Sequence, residues 1–158
     1  MVLRNQVEWA LHCCSVLSAL PEGKYLATKD LAEFHGVPKE YLSKALQALA
    51  TAKLVDTTLG PTGGYRLSRH PKDITFLDIV EAVEGRKTTF NCTEIRQNNP
   101  CMTAKSKGVC DVAKVMYEAD EAWREVLRGM SLETLRRQLE QKLPQSLQDK
   151  MADWFAKR

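Results

Sequence analysis

The sequence feature that most constrains the fold is a pair of short helical patterns separated by one glycine and followed at once by a hairpin pattern. The first pattern covers residues 28–35, with Thr28 as the expected N-cap, and stops at Gly36. The second opens with Pro38 and repeats leucine and alanine on one face. Two strand-type segments, residues 54–59 and 65–67, then flank a glycine-rich tip. Helix, tight turn, helix and hairpin in this order predict a winged helix-turn-helix.

The other regular patterns are helical. A first helix is predicted over residues 3–20, and a capping box of Thr75 and Asp78 opens a fourth helix. Two closing helices are predicted over residues 132–142 and 145–156. We therefore expect a mainly α fold with a small β wing.

The chain divides into three predicted parts. Residues 1–85 form the winged helix-turn-helix DNA-binding domain, residues 86–110 a loop that carries three cysteines, and residues 111–158 a long dimerisation helix with the C-terminal helices. The long helix is predicted from apolar residues that form a seam at helical spacing. These residues are Val112, Met116, Ala119, Trp123, Val126 and Met130. Because two-fold dimers bind DNA sites one helical turn apart, the seam predicts a homodimer on an inverted-repeat operator.

The polar face of the second helix of the pair and the wing are the candidate contacts to double-stranded DNA. Lysine and arginine bind phosphates, and glutamine and serine donate to base edges or phosphates. The candidates are Thr28, Lys39, Tyr41, Ser43, Lys44, Gln47, Thr58, Thr62, Gly63 and Arg66. An isolated helix pair with a polar face is equally typical of ordinary solvated helices, and the wing that follows favours DNA.

Composition excludes several classes of function. A net charge of +3, from 23 basic and 20 acidic residues, is too small for bulk charge to argue for nucleic acid. No apolar run approaches the roughly 18 residues that a membrane span needs, so we expect a cytoplasmic protein with no membrane partner. The sequence lacks a nucleophile elbow, a phosphate loop and a paired-carboxylate motif, which predicts that the protein is not an enzyme.

The five cysteines fall into two groups. Cys13 and Cys14 lie on the apolar side of the first helix, where packing is the expected role. Cys92, Cys101 and Cys110 lie in a basic loop and are spaced unlike the close pairs of structural zinc sites. Nearby lysine and arginine favour thiolates, so the loop fits an iron–sulfur cluster or a reactive thiol, with unliganded surface thiols as the alternative.

Six segments together resemble one protein family. They are residues 28–32, 41–44, 54–55, 60–67, 74–79 and 81–85. As a set they resemble the winged-helix iron–sulfur transcription regulators that include IscR, NsrR and RsrR, and the resemblance covers about residues 1–135. It implies a homodimeric transcription regulator, and many members of the family use an iron–sulfur cluster to sense cluster supply, nitric oxide or redox state.

Residues 7–14 and 92–97 are most similar to the RsrR-type redox regulators of this family. This resemblance implies a 2Fe-2S cluster held by two cysteines of one subunit and by a glutamate and a histidine of the other. Carried over by motif, the ligands are Glu8, His35, Cys101 and Cys110, with Cys92 and His12 as weaker candidates. A three-cysteine site, as in regulators of the NsrR or IscR type, is the competing assignment.

Two further residues bear on this expectation. Trp9, adjacent to Glu8, would pack near the cluster and move with its redox state; the alternative is an ordinary half-buried aromatic side chain. Leu59 stands just before the Gly-Pro of the wing, where many relatives carry a basic residue. A minor-groove contact by the wing is therefore not implied for this chain.

The leading hypothesis is a homodimeric repressor whose DNA affinity is controlled by a redox-sensitive iron–sulfur cluster. A cluster repressor that senses nitric oxide is one alternative. The other is a metal-free thiol switch, in which oxidation of a loop cysteine changes DNA affinity.

Overall fold

The computed structural model describes residues 2–158, which form seven α-helices and one two-stranded antiparallel sheet. The helices are α1 Asn5–Ser18, α2 Thr28–His35, α3 Lys39–Thr51, α4 Phe76–Glu84, α5 Asp111–Arg128, α6 Leu132–Lys142 and α7 Gln145–Ala156. The strands are β1 Val55–Thr58 and β2 Gly64–Leu67, and short 3-10 turns cover Pro71–Asp73 and Ile95–Asn98. The mainly α fold with a β wing is confirmed. In the described part of the chain, no helix has the length and hydropathy needed to cross a bilayer.

The core lies between α1, α3 and α4. Leucines recur on the inner face of α3 at helical spacing, and Leu42, Leu46 and Leu49 are fully buried there. Cys13 and Cys14 of α1 are fully buried in the same cluster, which confirms their predicted packing role. We call residues 5–85, which contain this core, the head.

The turn between α2 and α3 is built by a left-handed residue. Gly36 has φ 63° and ψ 35°, a conformation that glycine adopts without a steric penalty, and its N–H donates to the carbonyl of Glu33. Val37 then donates to Ala32 at 3.1 Å. The turn therefore ends α2 as the sequence predicts. The N-cap of α2 is Ala27 and not Thr28, because the carbonyl of Ala27 already accepts the N–H of Asp30.

The wing is tied to the rest of the head by backbone hydrogen bonds. β1 pairs with β2 in the register Val55 to Leu67, and Tyr65 exchanges two backbone hydrogen bonds with Leu26, at 2.8 and 3.0 Å. Gly64 sits at this contact with φ +150°, and a Cβ there would lie 2.1 Å from the carbonyl oxygen of Leu26. A side chain at this position would push the wing away from the head.

The chain leaves the head after α4 and returns to it before α6. At the point of return, Phe76 donates to the carbonyl of Met130 at 2.9 Å and Leu132 donates to that of Ile74 at 3.0 Å. Above this closure, Arg124 of α5 pairs with Glu81 of α4 at 2.5 Å and with Asp120 at 3.1 Å. α5 is thus fixed to the head by backbone pairing at its base and by a nearly buried arginine along its side.

The last helix folds back onto the head. Phe155 of α7 is buried, and its ring centroid lies 4.7 Å from that of Phe34 on α2. Trp154 lies 5.2 Å from Phe34, and the Lys24 ammonium donates to the carbonyl of Phe155. Leu147 near the beginning of the same helix is 41% exposed. Only the second half of α7 packs against α2.

Candidate DNA-binding face and cysteine site

The outer face of α3 carries the predicted DNA-contacting side chains. Lys39, Tyr41, Lys44 and Gln47 are exposed. The hydroxyl of Ser43 donates to the carbonyl of Lys39 at 2.9 Å, so in this conformation it offers DNA an acceptor. The face combines cationic and amide groups on one side of a helix whose other side is core, the arrangement that a major-groove helix requires.

The wing presents a smaller polar surface beside α3. Thr58 and Thr62 are exposed, whereas Arg66 is half-buried, lies 4.8 Å from the ring centroid of Tyr25 and pairs with Asp56 at 3.5 Å. Leu59 is 96% exposed next to the tip. Gly63 belongs to the tip, and Thr28 lies half-buried in the first turn of α2.

The candidate ligands Glu8, His12 and His35 come from α1 and the end of α2. Glu8 and His12 are exposed, whereas His35 is half-buried with its ring centroid 5.9 Å from that of His12. Burial and, secondarily, the nearby His12 lower the pKa of His35, which favours the neutral imidazole that binds metals. The Nε2 atom of His35 is buried without a hydrogen-bond partner in the described chain.

Trp9 links α1 to the DNA-binding helix. Its side chain is half-buried, and its ring stands edge-on to Tyr41 of α3 with the centroids 6.4 Å apart. A displacement of Trp9 would therefore act directly on Tyr41, a residue of the candidate DNA-binding face.

The structure brings together two of the three loop cysteines. Ligand atoms of Cys92, Glu94 and Cys110 all lie within 4.8 Å of one another, and this is the one such group of three in the described residues. Cys101 lies outside the group and is exposed, and its N–H donates to the side chain of Asn99 at 2.9 Å. That Cys101 and Cys110 are the two cysteine ligands of one cluster stays a prediction. Within one subunit, Cys110 lies beside Cys92.

Glu94 organises this group and was not recognised in the sequence. Its carboxylate accepts from the Cys92 thiol at 3.3 Å and from Arg96 at 3.0 Å. The hydrogen bond from Arg96 chiefly lowers the pKa of Glu94. Glu94 has φ 55°, which folds the chain back toward Cys92. The available signal was a carboxylate two residues after a cysteine.

Burial separates the cysteines, because Cys13 and Cys14 are buried whereas the three loop cysteines are partly or fully exposed. The backbone N–H of Glu94 favours the Cys92 thiolate, but desolvation together with the Glu94 carboxylate outweighs it, so the pKa of Cys92 is raised. Burial raises the pKa of Cys13 to about 12 and raises that of Cys14 as well. The two α1 cysteines are therefore inert thiols, and the loop cysteines are the reactive candidates.

The predicted seam of α5 faces outward. Val112 and Val126 are 67% and 73% exposed, Met116 is 38% exposed, and Trp123 is half-buried against the core. Within residues 2–158 nothing covers this stripe along most of its length. It is a continuous apolar surface on a helix that protrudes from the head.

The profile of the Rrf2 family, described as an iron-dependent transcriptional regulator, matches residues 3–138. The chain belongs to the Rrf2 family. It is 30% identical over 135 residues to the HTH-type transcriptional regulator NsrR of Geobacillus kaustophilus, covering 85% of this chain and 89% of that protein. It is 32% identical over 112 residues to the protein rrf2 of Nitratidesulfovibrio vulgaris, covering 71% of each.

Solved structures show the same fold. The global cysteine regulator CymR of B. subtilis superposes with a TM-score of 0.70 at 22% identity, over 87% of this chain and 97% of that one. IscR of T. potens superposes with a TM-score of 0.67 at 22% identity, over 92% of this chain and 93% of that one. This Rrf2-family member is therefore a DNA-binding transcriptional regulator with a winged helix and not an enzyme, as the sequence predicts.

Proposed function

We propose that this regulator is a homodimeric repressor whose DNA affinity is controlled by an iron–sulfur cluster bound at its cysteine loop. The observation that carries the proposal is the convergence of Cys92, Glu94 and Cys110 within 4.8 Å at the beginning of α5. Two thiols and a carboxylate from a short loop form a donor set that iron accepts.

The donors present fit such a cluster. The guanidinium of Arg96 lies 3.0 Å from Glu94 and lowers the cost of concentrating negative charge in this loop. The unpartnered Nε2 of His35 offers a neutral imidazole, which the RsrR-type assignment takes from the second subunit. Cys110 belongs to every assignment, and Cys92, Cys101, Glu8 and His35 complete the alternatives. When bound, a 2Fe-2S cluster supplies a one-electron redox centre.

The chain's own contacts give a ligand at Cys110 a route to the head. The carbonyl of Cys110 accepts the N–H of Lys114 at 2.8 Å as the first hydrogen bond of α5. Further along α5, Arg124 binds Glu81 of α4 and the carbonyl of Lys87 at the beginning of the loop. A shift at Cys110 therefore acts on a helix that is anchored to the head by specific polar contacts, which supports control of DNA affinity from this site.

The exposed stripe of α5 supports the homodimer. An apolar helix face of this length is unfavourable in water, and a second copy of the same helix is the partner that a two-fold regulator offers. In the RsrR-type arrangement the dimer also brings Glu8 and His35 of one subunit to the cysteines of the other. Trp9, packed on Tyr41, is the proposed gate through which the redox state reaches α3.

The test is anaerobic purification, with iron, acid-labile sulfide and visible absorption measured per monomer before and after dithionite. We expect equal iron and sulfide and a reversible spectrum. Cys110→Ser should abolish the spectrum. Cys101→Ser and Cys92→Ser discriminate the ligand sets, because the cysteine outside the site leaves the spectrum unchanged. A folded protein that stays colourless after reconstitution would refute cluster control.

The second candidate function is a thiol switch, favoured by the closeness of the Cys92 and Cys110 sulfurs, which lie within 4.8 Å. Peroxide would oxidise one thiol to a sulfenic acid, which the other attacks to give a disulfide and water. Mass spectrometry then shows the loss of two hydrogens in an iron-free protein. Exposure of the iron-loaded protein to nitric oxide tests the remaining alternative, a cluster repressor for that signal.

A further inference from the structure

A basic groove lies between the wing, the segment from Gly23 to Asp30 and the two residues that follow α7. It encloses about 630 Å³. Its lining includes Lys24, Lys29 and Lys157 together with Thr58 and Thr62 of the wing. Three separate parts of the chain therefore contribute to one surface beside the winged helix.

Some of the cationic side chains in this groove form ion pairs with the protein, and others do not. Arg158 stacks on Trp154, 3.3 Å from the ring centroid, and pairs with Glu33 at 3.0 Å and with Asp30 at 3.7 Å. By contrast, Lys29 and Lys157 are exposed and form no ion pair among residues 2–158. The groove thus presents two ammonium groups that have no protein partner.

The contacts of Arg158 hold Lys157 in place. Arg158 clasps α2 through Glu33 and Asp30, and the Lys24 ammonium binds the carbonyl of Phe155. These contacts fix the end of α7 against α2, and the neighbouring Lys157 lines the groove together with the wing. The family match ends at residue 138, so the helix that supplies Lys157 lies outside the matched region.

We propose that this groove binds a phosphate of the DNA backbone, so that α7 extends the DNA-binding surface beyond α3 and the wing. The groove is open and is bordered by the wing, which contributes Thr58, Thr62 and the tip residue Gly63. Ammonium and hydroxyl groups on an open surface suit a continuous phosphate backbone. The proposal rests on DNA binding by α3 and the wing and is independent of any cluster.

The test compares Lys157→Ala with Lys150→Ala in the full chain. Lys150 lies on the same helix and is exposed, but it lines a different cleft with Phe34 and Trp154. Both variants lose one charge. The probe is a duplex selected in vitro with the unmodified protein, and the affinity is measured between 50 and 200 mM salt, a range over which phosphate contacts are clearly resolved.

We expect Lys157→Ala to weaken binding about 3- to 10-fold on selected and random duplexes alike and to reduce the salt slope by about 1 per groove. Lys150→Ala should change neither quantity, and Lys157→Arg should retain both. In phosphate ethylation interference, Lys157→Ala should lose a signal flanking the segment contacted by the wing. Equal effects of Lys157→Ala and Lys150→Ala would overturn the proposal.

A third variant separates this proposal from its premise. Lys44→Ala lies on the outer face of α3 and should weaken binding whether or not the groove contributes. If Lys44→Ala weakens binding and Lys157→Ala does not, the groove proposal alone fails. If neither variant has an effect, the assignment of the DNA-binding face itself is wrong.

Discussion

The head and the cysteine segment, residues 86–110, are held together by different forces. The head buries whole leucine side chains, including Leu31 and Leu46 at 0% exposure. In the cysteine segment no side chain is buried. Its conformation rests on polar contacts such as Arg96 to the carbonyl of Gly108 at 2.5 Å and Gln97 to that of Ser106 at 3.2 Å.

This difference assigns the two regions different roles. Apolar burial stabilises the head without any ligand, whereas exposed hydrogen bonds contribute little because water competes for them. A segment held in this way changes conformation at low cost when a ligand or a second subunit contributes new contacts. The head is therefore suited to bind DNA in a fixed geometry. The cysteine segment is suited to change its conformation when a ligand or a second subunit binds.

The largest expected effect comes from opening a cavity in the head. Leu46→Ala should lower the free energy of unfolding by about 3 kcal/mol, because a fully buried leucine loses its contacts and leaves a void. In the cysteine segment, Ile95 is 76% exposed, and Ile95→Ala should change the free energy of unfolding by no more than about 0.5 kcal/mol. Urea denaturation measures both variants. Equal losses would show that the cysteine segment belongs to the cooperative core.

The next effect tests the ion pairs that join α5 to the head. Asp120 and Arg124 are 8% and 7% exposed, and Asp120→Asn should cost about 2 kcal/mol because Arg124 loses one of its two carboxylate partners. Burial alone raises the pKa of Asp120, but the hydrogen bond and the positive charge of Arg124 outweigh it and hold the pKa below its usual value.

The sign of that shift fixes the pH dependence. A carboxylate whose pKa is lowered by folding stabilises the protein above the pKa of the unfolded chain and loses this contribution as the pH falls through the folded value. The difference between Asp120→Asn and the unmodified protein should therefore be full at pH 7 and shrink below about pH 4. A difference that does not vary with pH would contradict the role of the Asp120 charge.

A smaller effect asks whether DNA recognition belongs to the head alone. Gln47→Ala should cost about 1 to 2 kcal/mol on the selected duplex and little on random DNA, because an amide discriminates between base edges. Lys44→Ala should weaken binding to both. Lys105→Ala removes the same charge from the cysteine segment and serves as the matched control, for which binding should be unchanged. Fluorescence anisotropy titrations measure all three, and a loss with Lys105→Ala would place DNA contacts in the segment.

The smallest effect concerns the turn of the helix pair. Gly36→Ala should lower stability by about 1 kcal/mol, because alanine pays a steric penalty at φ 63°. Gly36→Asn should cost less, because asparagine tolerates the left-handed conformation. Thermal unfolding of the two variants tests this order, and the reverse order would mean that side-chain volume, rather than φ, limits the turn.

The head could be predicted from the sequence because its determinants are local. Apolar spacing, Gly36 and the Thr75–Asp78 capping box place the helices and the wing. The predicted bounds of α2, α6 and α7 agree with the structure. The prediction of Thr28 as the N-cap was wrong. The preference of threonine for N-caps does not show that the extended backbone residue before the helix is Ala27.

The cysteine segment could not be predicted in the same way. Its conformation depends on contacts such as that between Arg96 and Gly108, which are twelve residues apart. No repeating pattern of the sequence predicts such a contact. For the same reason the sequence did not show that the backbone turn at Glu94 brings Cys92 to Cys110, and Cys101 as a ligand stays a prediction from the family resemblance. The contact of α7 with α2 was missed because its partners, such as Arg158 and Glu33, lie 125 residues apart in the sequence.

The closure of the chain below α5 has an evolutionary consequence. Two backbone hydrogen bonds, Phe76 to Met130 and Leu132 to Ile74, seal the base of the excursion that contains the cysteine segment and α5. Loop-closure entropy grows only slowly with length, so residues can be inserted into or deleted from the excursion at small cost to the rest of the molecule. Evolution can thus keep one DNA-binding head and replace the segment between these two hydrogen bonds with segments of other lengths and chemistries.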